Sequence, residues 1–177
     1  MKKIGTMLLF FFLITGCSQL QPDSELPKKE AIATSSTQVN APSFFHLSIL
    51  KDVNWEETPS FIQEKIPLRG IEDKIAMADS PIIANEKNEM MWYFLDPKMP
   101  TGKLSIIALK QGSVTPTPVL FQQETSKPTW TTSNTIDSTT NELPLTMSLP
   151  SSGLWLLNIY VNEKYYDQFV INATENK

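Results

Sequence analysis

The stretch "LPSSGLWLLNIYVNEKYYDQFVINA" (Leu149–Ala173) decides the fold. Trp155, Leu157, Ile159 and Val161 recur at every second position, so an extended chain places all four on one face, with Asn158 and Tyr160 on the other. The loop Asn162-Glu163-Lys164 has hairpin length, and the return run offers Tyr166, Gln168 and Val170 against Tyr165, Asp167, Phe169 and Ile171. Gly153 stands where the strand begins and permits a positive φ or a close approach. Trp155 is expected to point inward and to supply much of the core's apolar area.

Working outward, further short runs of β-branched and aromatic residues are separated by Pro, Gly, Asn and Asp clusters. Expected strands are Phe44–Leu50, Lys74–Met77, Met90–Leu95, Lys103–Lys110, Pro118–Gln122, Leu143–Leu149, Leu154–Val161 and Tyr165–Ile171. Only "TPSFIQEKI" comes near a helix, with Thr58 able to cap and Pro59 able to stand first, but Pro67 and Gly70 stop it quickly. Alternating burial at this strand spacing predicts an all-β, immunoglobulin-like antiparallel β-sandwich over residues 43–177. A small closed β-barrel is the alternative, because it uses the same patterning. The 13 prolines suit a chain of many loops and edges.

Upstream the chain changes character. Lys2 and Lys3 precede an unbroken apolar run, Met7–Ile14, and small Thr15-Gly16 follow, which is the order of a secretory signal over residues 1–16. The run is too short for a bilayer, which takes about 20 residues. Ile14-Thr15-Gly16-Cys17 resembles the lipobox of bacterial lipoproteins, which implies a diacylglyceryl group on the Cys17 thiol and Cys17 as the first residue of the finished chain. Two acyl chains at about 0.8 kcal/mol per buried CH₂ hold firmly. Cys17 is the single cysteine, so disulfides and thiolate sites fall away with it. Residues 17–42, rich in Ser, Thr, Gln and Pro and without aromatics, are expected to be a flexible tether. The implied location is the extracytoplasmic face of the cell membrane.

With 41% hydrophobic and 19% charged residues, the chain has the material for one ordinary domain. Its formal charge of −4 becomes −6 once the first sixteen residues go, since Lys2 and Lys3 leave without an acid. Arg69 is the single arginine, so nucleic acid is not an expected partner. Catalysis is not expected either. His46 is the single histidine, no G-x-S-x-G elbow is present, and Glu56-Glu57 and Glu72-Asp73 would point to opposite faces of a strand. No cofactor is expected. Copper handling is an alternative through His46, Met77, Met90, Met91, Met99 and Met147, although no M-x-x-M or M-x-M-x-M spacing occurs. The remaining reading is a binding or structural module for a protein or an envelope component. Trp92 in "MMWYF" and Trp130 in a Thr/Ser-rich loop are the candidate contact residues, against the simpler reading that both fill the core.

Trp55, "LRGIEDKIAM", "MMWYF", "GKLSIIAL" and the C-terminal "MSLPSSGLWLLNIYVNEKYYDQFVI" together resemble a family of uncharacterised lipoproteins of Bacillus-type bacteria. Met147, Leu149, Pro150, Gly153, Trp155 and Leu157 carry its most specific signature. The resemblance implies a C-terminal immunoglobulin-like unit and brings no established activity. Leu95 stands where a second aromatic is expected, and "TTSNTIDSTTNELPL" replaces the family's Asn/Gly/Ala-rich loop. If ligand contacts lie in that loop, this chain binds something different.

Overall fold

The computed structural model describes residues 41–122 and 125–176. Cys17, the signal and most of the tether lie outside them. The described chain is built from twelve strands: β1 (Ser60–Gln63), β2 (Ile66–Ile71), β3 (Ile75–Ala78), β4 (Ile82–Ile83), β5 (Asn88–Phe94), β6 (Gly102–Lys110), β7 (Thr117–Pro118), β8 (Leu120–Phe121), β9 (Thr131–Ile136), β10 (Glu142–Met147), β11 (Gly153–Val161) and β12 (Lys164–Thr174). One sheet has the order β1-β2-β3-β5-β10-β8, and the other β4-β12-β11-β6-β7 with β9 also on β6. Two separate sheets make a sandwich. All strand pairs are antiparallel except β12 with the two-residue β4.

The sandwich interior is filled from both sheets. Trp155, Leu157, Ile159 and Val161 of β11 meet Ile75, Met77, Met90, Trp92, Phe94 and Met147 of the opposite sheet. Trp155 is buried and its indole N–H donates to the Ser151 carbonyl at 2.9 Å, so the "PSS" turn satisfies the ring it introduces. Gly153 has φ 108°, a conformation that L side chains avoid.

The hairpin of β11 and β12 turns on Asn162-Glu163, both at positive φ, and Lys164 already pairs with Val161. Farther along, the register shifts: Tyr160 faces Tyr165, Ile159 faces Asp167, and Tyr166 has no partner. This bulge reverses simple alternation. It sends Tyr166 towards the sandwich core, while Tyr165 meets Tyr160 on the outer face with ring centroids 5.8 Å apart.

The largest departure from the expected pattern is burial of both faces of the β6-β11-β12 layer. Ile107, Leu109, Leu156, Tyr160 and Val170 form a second apolar cluster on the outer face, closed by Phe44, Phe45, Ile49, Leu50, Val53 and Trp55. The expected strand Phe44–Leu50 is instead a turn followed by a 3-10 helix, Leu47–Leu50. A strand would point Phe44 and Phe45 in opposite directions, whereas the turn lets both rest on the sheet. "TPSFIQEKI" is a hairpin rather than a helix, with Glu64 and Lys65 both at positive φ in its turn. Thr58 caps a sheet edge instead of a helix: its N–H donates to the Val170 carbonyl, and the Val170 N–H donates to its Oγ1, both at 2.9 Å. Gly70 in β2 permits close contact, since a Cβ there would sit 2.4 Å from the Ile75 carbonyl oxygen.

Candidate functional site

At one side of the sandwich the short edge strand β8 leaves part of β10 uncovered, and a groove opens there between β10 and β9. β8 pairs with β10 only at Thr146 and Met147, which leaves Glu142–Leu145 an open edge. The Phe94 N–H donates to the Asn141 carbonyl, so Leu143 and Leu145 bond inward to β5 while Pro144 turns its backbone outward. A proline has no N–H to offer at that edge, and strand addition is blunted there.

The facing wall is β9. Its pairing with β6 slips between Ser105↔Thr131 and Lys103↔Thr135, so Leu104 stands opposite Thr132, Ser133 and Asn134 together. Those three residues are pushed out of the ladder, and the Thr132 hydroxyl steadies them by donating to the Asn134 carbonyl at 2.9 Å. Between the walls lies a groove of about 580 Å³, lined by Glu89, Leu120, Phe121, Gln122, Thr132, Ser133, Asn134, Pro144, Leu145 and Thr146. Gln122 is oriented by its amide, which donates to the Thr131 carbonyl at 3.1 Å. The Lys87 ammonium stands 4.5 Å from the Phe121 ring centroid.

The lining is chemically mixed. Hydroxyls and amides on Thr132, Ser133, Asn134, Gln122 and Thr146 both donate and accept, Phe121 and Pro144 offer ring surfaces, and Glu89 is the titratable lining group. Such a surface suits hydrogen bonding to a neutral polar ligand with some apolar contact.

The other polar clusters are stitching. Arg69 spans Asp79, with Nε at 2.9 Å and Nη2 at 2.8 Å from Oδ1, while Nη1 reaches Glu57 at 3.4 Å and the Thr58 carbonyl. The single arginine thus clamps the incoming chain to β2 and the end of β3. A smaller groove of about 370 Å³ beside it is lined partly by these engaged groups. Lys74 bonds Asp167 at 2.6 Å and the Tyr166 carbonyl at 3.1 Å, and the Tyr166 hydroxyl reaches Asp96 at 3.1 Å. Burial, and then Asp96, push the Tyr166 phenol well above its ordinary range.

Of the residues singled out from sequence, Trp92 is corrected. It is 0% exposed in the sandwich core, its ring tilted 43° to that of Phe169 with centroids 5.8 Å apart, and Met90 and Phe94 are buried on the same face. Alternation in "MMWYF" carries these three inward together, so none forms a contact surface. Trp130 is half-buried against the outer cluster, immediately before the displaced stretch of β9. Met77, Met90, Met99 and Met147 are core side chains, whereas His46 is exposed beside the 3-10 helix, so copper handling loses its ligand set. Among the described residues no group of three or more His, Cys, Asp or Glu is arranged to hold a metal. Cys17 lies outside the described residues.

Sequence patterning gives no sign of the groove. Its displaced wall and Pro144-Leu145 come from "TTSNTIDSTTNELPL", the segment where the chain departs from the family it resembles. In sequence β9 reads as loop, because Thr, Ser and Asn mark turns, although Thr is also a strand former.

A family model described as a domain of unknown function (DUF4871) matches residues 44–171. The fold is similar to an X-ray crystal structure of a "putative lipoprotein from Bacillus anthracis", with a TM-score of 0.77 and 92% identity over 78% of this chain and 100% of that one. No curated protein matches.

Proposed function

The chain belongs to the family defined by the DUF4871 domain, and from that premise we propose that it is a lipid-anchored, non-catalytic binding module at the extracytoplasmic face of the membrane. The similar Bacillus anthracis chain, named a lipoprotein, supports the anchor, as does the charge, apolar run and small-residue order before Cys17. Cys17 carries the lipid, residues 17–42 are the tether, and residues 43–177 are the domain it presents. Confinement to the membrane raises the effective concentration of the module for whatever lies in the adjoining envelope.

The observation that carries the binding role is the groove between β9 and β10, where three residues leave the ladder and two of them, Ser133 and Asn134, turn hydroxyl and amide groups to one open surface. A lining of mostly uncharged hydroxyl and amide groups with ring surfaces, and Glu89 as its one carboxylate, fits an envelope component rich in hydroxyls and amides, the composition of a wall glycan. Glu89 has no second titratable group beside it in the lining, which supports binding rather than turnover.

The test is cosedimentation of unlipidated protein with purified wall sacculi. Native protein should pellet with the wall, and Asn134→Ala and Phe121→Ala should each weaken retention about tenfold, the scale of losing one well-placed contact. Equal retention of all three proteins would remove the groove from the reading. A Cys17→Ser chain found still with membranes after fractionation would remove the anchor.

A further inference from the structure

Residues 41–57 cover an apolar sheet face without joining the sheet. Among the described residues, their backbone hydrogen bonds stay within the segment: Phe45 to Pro42, Ile49 to His46, Lys51 to Ser48 and Val53 to Leu50. The first backbone bond from the N-terminal side to a strand is made by Thr58, to Val170. What holds the segment down is side-chain packing, with the Phe44 ring 5.0 Å from Tyr160 and Ile49, Leu50, Val53 and Trp55 against the same cluster. Segments held by few sheet bonds open at lower free energy than the strands beneath them.

Chain order adds a second constraint. A pull applied from the Cys17 side reaches Ala41 first and loads the Arg69 clamp, through Glu57 and Thr58, and then β1 only after residues 41–56 have left the sheet. Those side-chain contacts would part together, whereas the antiparallel ladder of β6, β11 and β12 remains paired.

We infer that residues 41–57 are a strap that opens as a unit ahead of the sandwich, and that tension along the N-terminal chain is what opens it. This rests on the anchored reading above only for the source of the tension. Opening lengthens the connection by up to about 60 Å, from 17 residues at about 3.3–3.6 Å each. It also uncovers Ile107, Leu109, Leu156, Tyr160 and Val170 as one apolar face.

Single-molecule pulling on the unlipidated full chain tests this, with Cys17, the single thiol, as one handle and a tag beyond Lys177 as the other. The expected record has an early low-force lengthening of no more than about 60 Å and a later, separate event for the sandwich. Phe44→Ala should speed the early event about tenfold and leave the later one in place. A single all-or-none event in the native chain, or an early event unchanged by Phe44→Ala, would overturn the strap. Since no lipid is used, failure of the anchor would show in fractionation and leave this result standing.

Discussion

Tyr160 joins three features of the molecule in one side chain. It stands in β11, its ring meets Phe44 of the strap, and its other neighbour is Tyr165, moved to that face by the bulge in β12. Burial, and then the nearby Tyr165, push its phenol up to about 12 from an ordinary 10.0. The folded pKa is the higher one, so the stabilisation from keeping the phenol neutral is fully present below pH 10 and is lost as pH rises from 10 through about 12. Phe44→Ala admits water to the ring and should bring the Tyr160 midpoint back towards 10. The measurement is the ultraviolet titration of tyrosinate, with Tyr160→Phe in each background to isolate this ring. An unmoved midpoint would mean that the strap does not shield it.

At the scale of elements, the edge of β10 shows how one residue governs assembly. Pro144 holds an outward position where any other residue would present an N–H to a passing strand. Pro144→Thr restores that donor and adds a β-branched side chain, so the variant should self-associate more than the native chain as concentration rises, by sedimentation velocity. Matching profiles would mean that the β9 wall, rather than the proline, guards the edge. Pro144 also shows what sequence could convey. The alternation of β5, β6, β11 and β12 was legible because their inner faces answer to one core with period two. Tyr166 was not, because a single unpaired residue inverts everything before it. Phe44–Leu50 reads as a strand on composition, and only the sheet beneath explains why both phenylalanines must face the same way. Groove residues Thr132–Asn134 were illegible for a further reason: their placement comes from a slipped pairing with a strand some 30 residues away, which local composition does not encode.

For the whole molecule, the question is why a sandwich should need a cover. Sheets that pack on one side usually leave a polar outer face, yet β6 and β11 are mostly apolar along their length and bury both faces. Ser105 and Asn158 are the buried polar exceptions: the Ser105 and Thr131 hydroxyls bond each other at 2.7 Å, and the Asn158 side-chain amide donates to the Ile107 carbonyl at 2.9 Å while its Oδ1 has no partner. Without the strap the domain would expose a contiguous apolar patch of the kind soluble monomers avoid. The strap also delivers Glu57 and Thr58 to Arg69, so the cover and the edge of the sandwich are fastened by one charged side chain. Deleting residues 41–57 should therefore do two things at once. The strap residues that contribute to the outer cluster are worth about 1.5–3 kcal/mol each when fully buried, and several are half-buried, so a loss of a few kcal/mol is the expected scale. In a domain of this size that corresponds to a fall in Tm of about 10 °C or more. The shortened protein should also bind an apolar dye that the native chain ignores, while its far-ultraviolet circular dichroism keeps a strand signature, because the β6-β11-β12 ladder owes no backbone bond to the deleted segment. Loss of that signature would show instead that the cover is required for the sheet to form at all, and would make the strap a folding element before it is anything else.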